Sequence, residues 1–303
     1  MAIHYITYQQ IDRNKWDNCI NQADNGLIYA QTEYLDAMSE NWDAIIFDDY
    51  EYVMPLTYKI KFGIHYLYQP YFTPSLGVFG KNVSAGLLEE FLQSIPAKFK
   101  YWDIYLNPGN YFELKSFDLY QRVNYTLDLN RSYEIIYAGY RDNIKRNIKK
   151  AAQLKCVVKR NIDIDEVISL AMEQSQNFDP ISKEDYQHFK ALYQQLSAEQ
   201  KAITYGVYTS NNQLVASCAL FRSHKRLYYI LVGNHPNGKA VGASHALVNA
   251  FIQDHCGQEL LLDFEGSDIS SLAFFYSSFG AIQEKYAGLK LNRLPWLLRL
   301  FKK

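Results

Sequence analysis

The sequence predicts an α/β (α+β) chain of two similar units, each a mixed, mostly antiparallel sheet flanked by helices. Three observations predict it. Alternation of apolar and polar residues interleaves with i, i+3, i+4 spacing from end to end, so strands and helices alternate. In the second half three consecutive strands are joined by segments short enough for hairpins, Ser210-Asn211-Asn212 and Ser223-His224-Lys225. The element order of the first half then recurs in the second. At 303 residues, with 48% hydrophobic and 21% charged, the chain is long enough for two cores and apolar enough to offset its ordering entropy. The boundary is expected near residue 130, giving units 1–130 and 131–303.

In the first half a strand at Ile3 to Tyr8 precedes helices near Ile11 to Ile20 and Thr32 to Ser39. Strands at Ala44 to Phe47, Tyr52 to Tyr58 and Ile64 to Tyr68 follow, then a helix at Ala85 to Ile95 and strands at Tyr101 to Leu106 and Asn124 to Leu129. Asn130-Arg131-Ser132 opens the second half, with Ser132 as N-cap of a helix over Tyr133 to Tyr137. There a strand at Lys155 to Arg160 leads to a helix at Asp165 to Gln176 and another opened by the capping pattern Ser182-x-x-Asp185. Strands at Ala202 to Tyr208, Leu214 to Phe221 and Leu227 to Val232 precede the polar loop Gly233 to Gly238 and a helix over Ser244 to His255. A strand at Leu260 to Phe264, a helical segment at Ile269 to Phe279 and a strand at Tyr286 to Leu291 complete the order β-α-α-β-β-β-α-β-α-β.

The 31 basic and 32 acidic residues leave a net charge of −1, which excludes a global field for nucleic acid and makes any such contact local. Cys19, Cys156, Cys218 and Cys256 lie far apart without a C-x-x-C pair, so they read as reduced thiols, with neither a disulfide framework nor a zinc site. The histidines show no ligand spacing, His235 and His245 read as loop and helix-surface residues, and no metal is expected. With no signal-like start and no stretch of ~18 apolar residues, the expectation is a cytoplasmic protein.

Charge is concentrated in one place. Between Arg141 and Arg160 there are eight basic residues and one acid, Asp142. On a helix Ile144, Ile148, Ala151 and Ala152 make an apolar stripe and leave Arg141, Lys145, Arg146, Lys149 and Lys150 on the remaining arc, a face suited to gripping phosphate. Farther on, Asp263 and Glu265 are two apart and point to one side of a strand whose end would face a ligand crevice.

The element order, together with Tyr140-Arg141-Asp142-Asn143-Ile144-Lys145-Arg146-Asn147-Ile148-Lys149-Lys150-Ala151, Asp263-Phe264-Glu265-Gly266-Ser267 and Phe279-Gly280-Ala281, resembles the Gcn5-related N-acetyltransferase (GNAT) fold. Two such units in one chain resemble the FemABX aminoacyl transferases and their acyltransferase relatives. The resemblance implies transfer of an acyl or aminoacyl group to an amine, from acyl-coenzyme A or aminoacyl-tRNA, in the second unit. It implies Glu265 or Asp263 as base and Tyr276, four residues before Gly280, as acid. It places donor contacts at Gly238, Lys239, Gly242 and Ser244, a weakened form of the phosphate-binding turn, and acceptor contacts at Arg141, Arg146, Asn147 and Lys150. The acceptor it suggests is a nucleotide- or lipid-linked muropeptide, with limited tRNA contact. A non-catalytic binding module on the same fold is the alternative. Pro70 and Pro74 remove donors where the first unit's own donor turn would fall, so that unit reads as a degenerate copy forming an acceptor wall. The tail from Arg293 to Lys303 combines a Trp, Leu residues and cations, which suits either packing on the first unit or contact with the inner face of an anionic membrane.

Overall fold

The computed structural model describes residues 2–175, 181–266 and 268–296. From the N-terminus the chain forms β1 (Ile3–Ile6), α1 (Arg13–Gln22), α2 (Thr32–Met38), β2 (Asn41–Phe47), β3 (Tyr52–Lys61), β4 (Ile64–Tyr68), β5 (Phe79–Gly80), α3 (Ala85–Gln93), β6 (Phe99–Leu106) and β7 (Leu119–Asp128). It continues through α4 (Tyr133–Ala138), α5 (Asp142–Gln153), β8 (Val157–Arg160), α6 (Ile164–Ser175), α7 (Lys183–Ala198), β9 (Ala202–Tyr208), β10 (Leu214–Ser223) and β11 (Arg226–Asn234). The last elements are α8 (Pro236–Val241), α9 (Ala243–His255), β12 (Leu261–Asp263), α10 (Ser270–Ser277) and β13 (Ile282–Asn292).

The chain divides into two units, one running to Arg122 and resuming at Lys285, the other Val123–Glu284. Where the sequence suggests one boundary near residue 130, the units part after Arg122 and again after Glu284.

In the first unit the strand order is β1-β2-β3-β4-β6-β13, all antiparallel except the parallel pair β4 and β6. Asp12 caps α1 by accepting from the Lys15 N–H, and the helix buries Trp16, Cys19 and Ile20 at i, i+3 and i+4. Ser84 does the same for α3, whose Leu88, Phe91 and Leu92 close the core over Met54, Leu67 and Trp102.

In the second unit the order is β8-β9-β10-β11-β12-β7, again with one parallel pair, β11 and β12. The capping box expected at Ser182 and Asp185 forms. On one sheet face α9 buries Leu247, Val248, Phe251 and Ile252 against Tyr205, Val207, Leu220 and Tyr229.

The sixth strand of each unit comes from the other half of the sequence. Sequence order places Asn124 to Leu129 in the first half and Tyr286 to Leu291 in the second. In the structure β7 pairs with β12 (Leu262↔Leu127) and β13 with β6 (Leu289↔Ile104). Alternation marks a segment as a strand but carries no record of its partner, and only about two-thirds of consecutive strands are neighbours.

Candidate active site

The second unit's parallel pair opens. β11 and β12 match only at Arg226↔Leu261, Leu227↔Leu262 and Tyr228↔Asp263. There β12 stops, while β11 runs on to Asn234 bonded to β10 alone among the described strands. The Phe264 N–H turns away to the Tyr125 carbonyl of β7, 3.0 Å. From residue 229 to 233 one edge of β11 has no strand partner among the described residues, and beyond it the Asn234 N–H donates to Gln174 Oε1 at 2.6 Å.

A charge cluster holds the base of this opening. Arg226 Nη1 reaches Asp263 Oδ2 at 2.7 Å and Nη2 reaches Glu284 Oε1 at 3.0 Å. Asn124 Nδ2 donates to Asp263 Oδ1 at 2.8 Å and to Glu284 Oε2 at 3.2 Å. Both carboxylates raise the Arg226 pKa, against the lowering effect of burial. Asp263, 5% exposed, also accepts the Glu265 N–H at 2.9 Å, and Asn124 Oδ1 accepts that of Gly266 at 2.6 Å. These two bonds pin the backbone of Glu265 in the left-handed region, φ +66°, which a residue with a side chain adopts only at a cost.

Glu265 and Tyr276 come together. Tyr276, on α10, is 7% exposed and stacks on Phe264 with ring centroids 4.5 Å apart. Burial, and next the nearby charge of Glu265, push its hydroxyl well above the ordinary phenol range, so it keeps its proton at neutral pH. The same helix touches the start of α5. The Arg141 N–H donates to the Ser278 carbonyl at 2.9 Å, and the guanidinium lies over Phe274, 4.9 Å from its centroid.

His245, in the first turn of α9, is half-buried with its ring 5.1 Å from Phe275 and 6.5 Å from Phe279, instead of lying on a helix surface. Burial pushes its pKa from 6.5 down to about 4. On acidification the unfolded chain takes up this proton first, so stability is full above about pH 6.5 and falls as the pH drops toward 4. Discounted for partial exposure, the loss is ~1–2 kcal/mol. Thermal unfolding between pH 7 and 4 should show this acid limb, shallower in His245→Phe; an unchanged slope in that variant would remove His245 as its source.

The expected donor turn differs from expectation. Residues 236–241 are not loop but the short helix α8, with Pro236 at its first position and the His235 ring accepting the Asn237 N–H. The Gly238 N–H is spent on His235 O at 2.8 Å and that of Gly242 on Lys239 O at 3.4 Å. Ser244 Oγ donates to Asn234 Oδ1 at 2.6 Å, and Lys239 is exposed. Gly242 has φ +73°, and a Cβ there would lie 2.6 Å from the Asn147 carbonyl, so α5 packs directly on the turn. Asn147 and Arg141 thus adjoin the opening's helices, whereas Arg146 and Lys150 are exposed on the same arc of α5 as Asn147. Ala152, placed on the apolar stripe by its spacing, is exposed, and Ile144 and Ala151 carry the burial.

Residues 138–268 match the family model of the acetyltransferase (GNAT) domain. The matched stretch lies within the second unit. Across both units the fold is that of FemX, whose crystal structure superposes with a TM-score of 0.65 at 12% identity, covering 100% of each chain. A conserved protein of unknown function from Bacteroides thetaiotaomicron aligns at 0.61 and 11% identity, covering 94% of this chain and 99% of that one. The C-terminal domain of a protein described as a putative lysylphosphatidylglycerol synthetase, from Agrobacterium fabrum, aligns at 0.55 and 9%, covering 96% and 94%. No curated protein sequence matches the chain.

The first unit's parallel pair does not open in this way. There β4 and β6 stay paired to Tyr68↔Asp103, and Leu76 bridges to Leu106. Gln69 Oε1 takes the Tyr105 N–H at 3.0 Å, the Leu76 N–H donates to Tyr105 O at 2.8 Å, and a cavity of about 10 Å³ remains. The segment with the two prolines thus runs along the edge of β6 where β4 ends. In the second unit the residues that sequence reasoning passed over are Arg226, Glu284 and Asn124. Arg226 at a strand start and Glu284 in the final strand carry no local motif; only the tertiary pairing joins them.

Proposed function

We propose that the chain transfers an acyl or aminoacyl group to an amine in the opening between β11 and β12. The carrying observation is that this opening ends on Glu265, held in a strained backbone conformation beside a phenol that stays protonated. The acceptor amine attacks the donor carbonyl carbon; Glu265 takes the amine proton as the C–N bond forms. Tyr276 gives its proton to the departing oxygen or sulfur as that bond breaks, and regains one from solvent. Asp263, with both oxygens engaged, positions Glu265. Arg141, Asn147 and, along the same helix, Arg146 and Lys150 hold an anionic part of the acceptor, for which a nucleotide- or lipid-linked muropeptide is the expected class. Spending the Gly238 and Gly242 N–H groups inside α8 weakens a diphosphate cradle and favours aminoacyl-tRNA over acyl-coenzyme A as donor. The same observation supports a second reading, a binding module that has lost its donor.

Thermal shift separates these cases. A ligand at about 100 times its dissociation constant adds about 2.7 kcal/mol. A nucleotide-linked muropeptide is expected to raise Tm, and product should then form with charged tRNA. A rise with acetyl-coenzyme A instead reverses the donor assignment. A rise with the muropeptide and no product from either donor leaves the binding module.

A further inference from the structure

The end of the first unit's sheet at which β3 turns into β4 exposes large apolar side chains among cations. Lys61 pairs with Ile64, so Phe62 and Gly63 alone make the turn, both with positive φ (+52° and +73°). Such turns favour Asn and Gly, yet Phe62 is 93% exposed, with Ile60 beside it at 52%. A Cβ on Gly63 would meet nothing within 4 Å, so the tip stands clear of the protein. Packing does not account for a phenyl ring in this place.

Register brings the tail to the same end. β4 begins against β6 with His65↔Phe99, and β13 ends against β6 with Asn292↔Tyr101. Beyond Asn292 the Arg293 N–H donates to Lys100 O at 2.7 Å, its guanidinium lies 5.3 Å from the Trp102 ring centroid, and Leu294 is buried. Two residues later Trp296 is 72% exposed. Lys59 and Lys98 at this end pair with Glu40 and Asp43, whereas Lys61, Lys100 and Arg293 have no ion pair among the described residues. Leu297, Leu298, Arg299, Leu300, Phe301, Lys302 and Lys303 lie outside the described residues; as sequence they add apolar and basic residues and no acid.

We infer that this end of the first unit docks on an anionic lipid surface, with Phe62, Ile60 and Trp296 entering the headgroup region and Lys61, Lys100 and Arg293 at the phosphates. An aromatic tip with flanking cations gains from both the apolar boundary and the negative surface potential. The excess of three cations in a chain of net charge −1 selects an anionic partner. The inference goes beyond acyl transfer and does not rest on it.

The test mixes the full chain with vesicles of phosphatidylglycerol and phosphatidylcholine, and with phosphatidylcholine alone. Of the four tryptophans Trp16, Trp42 and Trp102 are 0%, 3% and 1% exposed, so a blue shift of emission reports Trp296. The anionic vesicles are expected to give that shift, to lose it in Trp296→Phe, and to release the protein as salt rises. Phe62→Ser with Ile60→Ser, both on the surface, should weaken partitioning about tenfold at unchanged Tm. Three results overturn the inference: no cosedimentation with anionic vesicles, equal binding to phosphatidylcholine alone, or undiminished binding of the double variant. Self-association without lipid that the double variant abolishes would assign the surface to a second copy instead. Binding is read without turnover, so neither outcome depends on the catalytic reading.

Discussion

Replacing Glu265 by Gln should lower kcat by about 10²-fold or more, the usual contribution of a positioned base, which corresponds to ~2.7 kcal/mol of barrier. The carboxamide keeps the shape and loses the ability to take the amine proton. Tyr276→Phe should act similarly on the departing group, because the phenol it removes is protonated and buried beside the base. Stability should move the other way. Glu265 sits at φ +66°, and Glu265→Gly relieves a left-handed residue that costs ~1–2 kcal/mol, so Tm should hold or rise while turnover disappears. A residue kept for folding would show the opposite pairing. Steady-state rates with the donor that supports product formation, alongside thermal unfolding, test this; full turnover in both Glu265→Gln and Tyr276→Phe would remove the proposed mechanism.

Most elements of this fold were legible because burial imposes a period on the sequence. β4 and β9 begin and end where alternation places them, and the box at Ser182 and Asp185 marks the start of α7. Three features were hidden for different reasons. In α8 the residues Asn237 and Gly238 read as breakers, although Pro236 after a capping His235 is a helix-start signal; the local cue was present and outweighed. The exchange of β7 and β13 left no local cue, since pairing partners are chosen by tertiary packing. The Arg226 cluster joins residues 37 and 58 positions apart in sequence, through side chains that become neighbours only once β11, β12 and β13 are in place. Glu265 and Tyr276, by contrast, lie where the sequence places them, just past a strand and on the helix after it, because those are local features.

Removing the Arg226 cation should be strongly destabilising, by about 3–5 kcal/mol for Arg226→Met, since it strands two largely buried carboxylates. Asp263 is 5% exposed and the side chain of Glu284 22%. Neither can recover its solvation by turning outward while Asn124 also holds both. The cost belongs to the unpaired charges more than to the lost bonds. Adding Asp263→Asn and Glu284→Gln to Arg226→Met should therefore recover much of the stability measured in urea, even though no ion pair is restored. Turnover should not recover with it. The carboxamide at position 263, no longer gripped by Arg226, does not fix the Glu265 N–H, and an error of about 1 Å in a catalytic group costs ~10²-fold. If the triple variant were as unstable as Arg226→Met alone, the cluster would be held by packing instead of charge balance; if it regained full activity, the Arg226–Asp263 pair would have no part in placing Glu265.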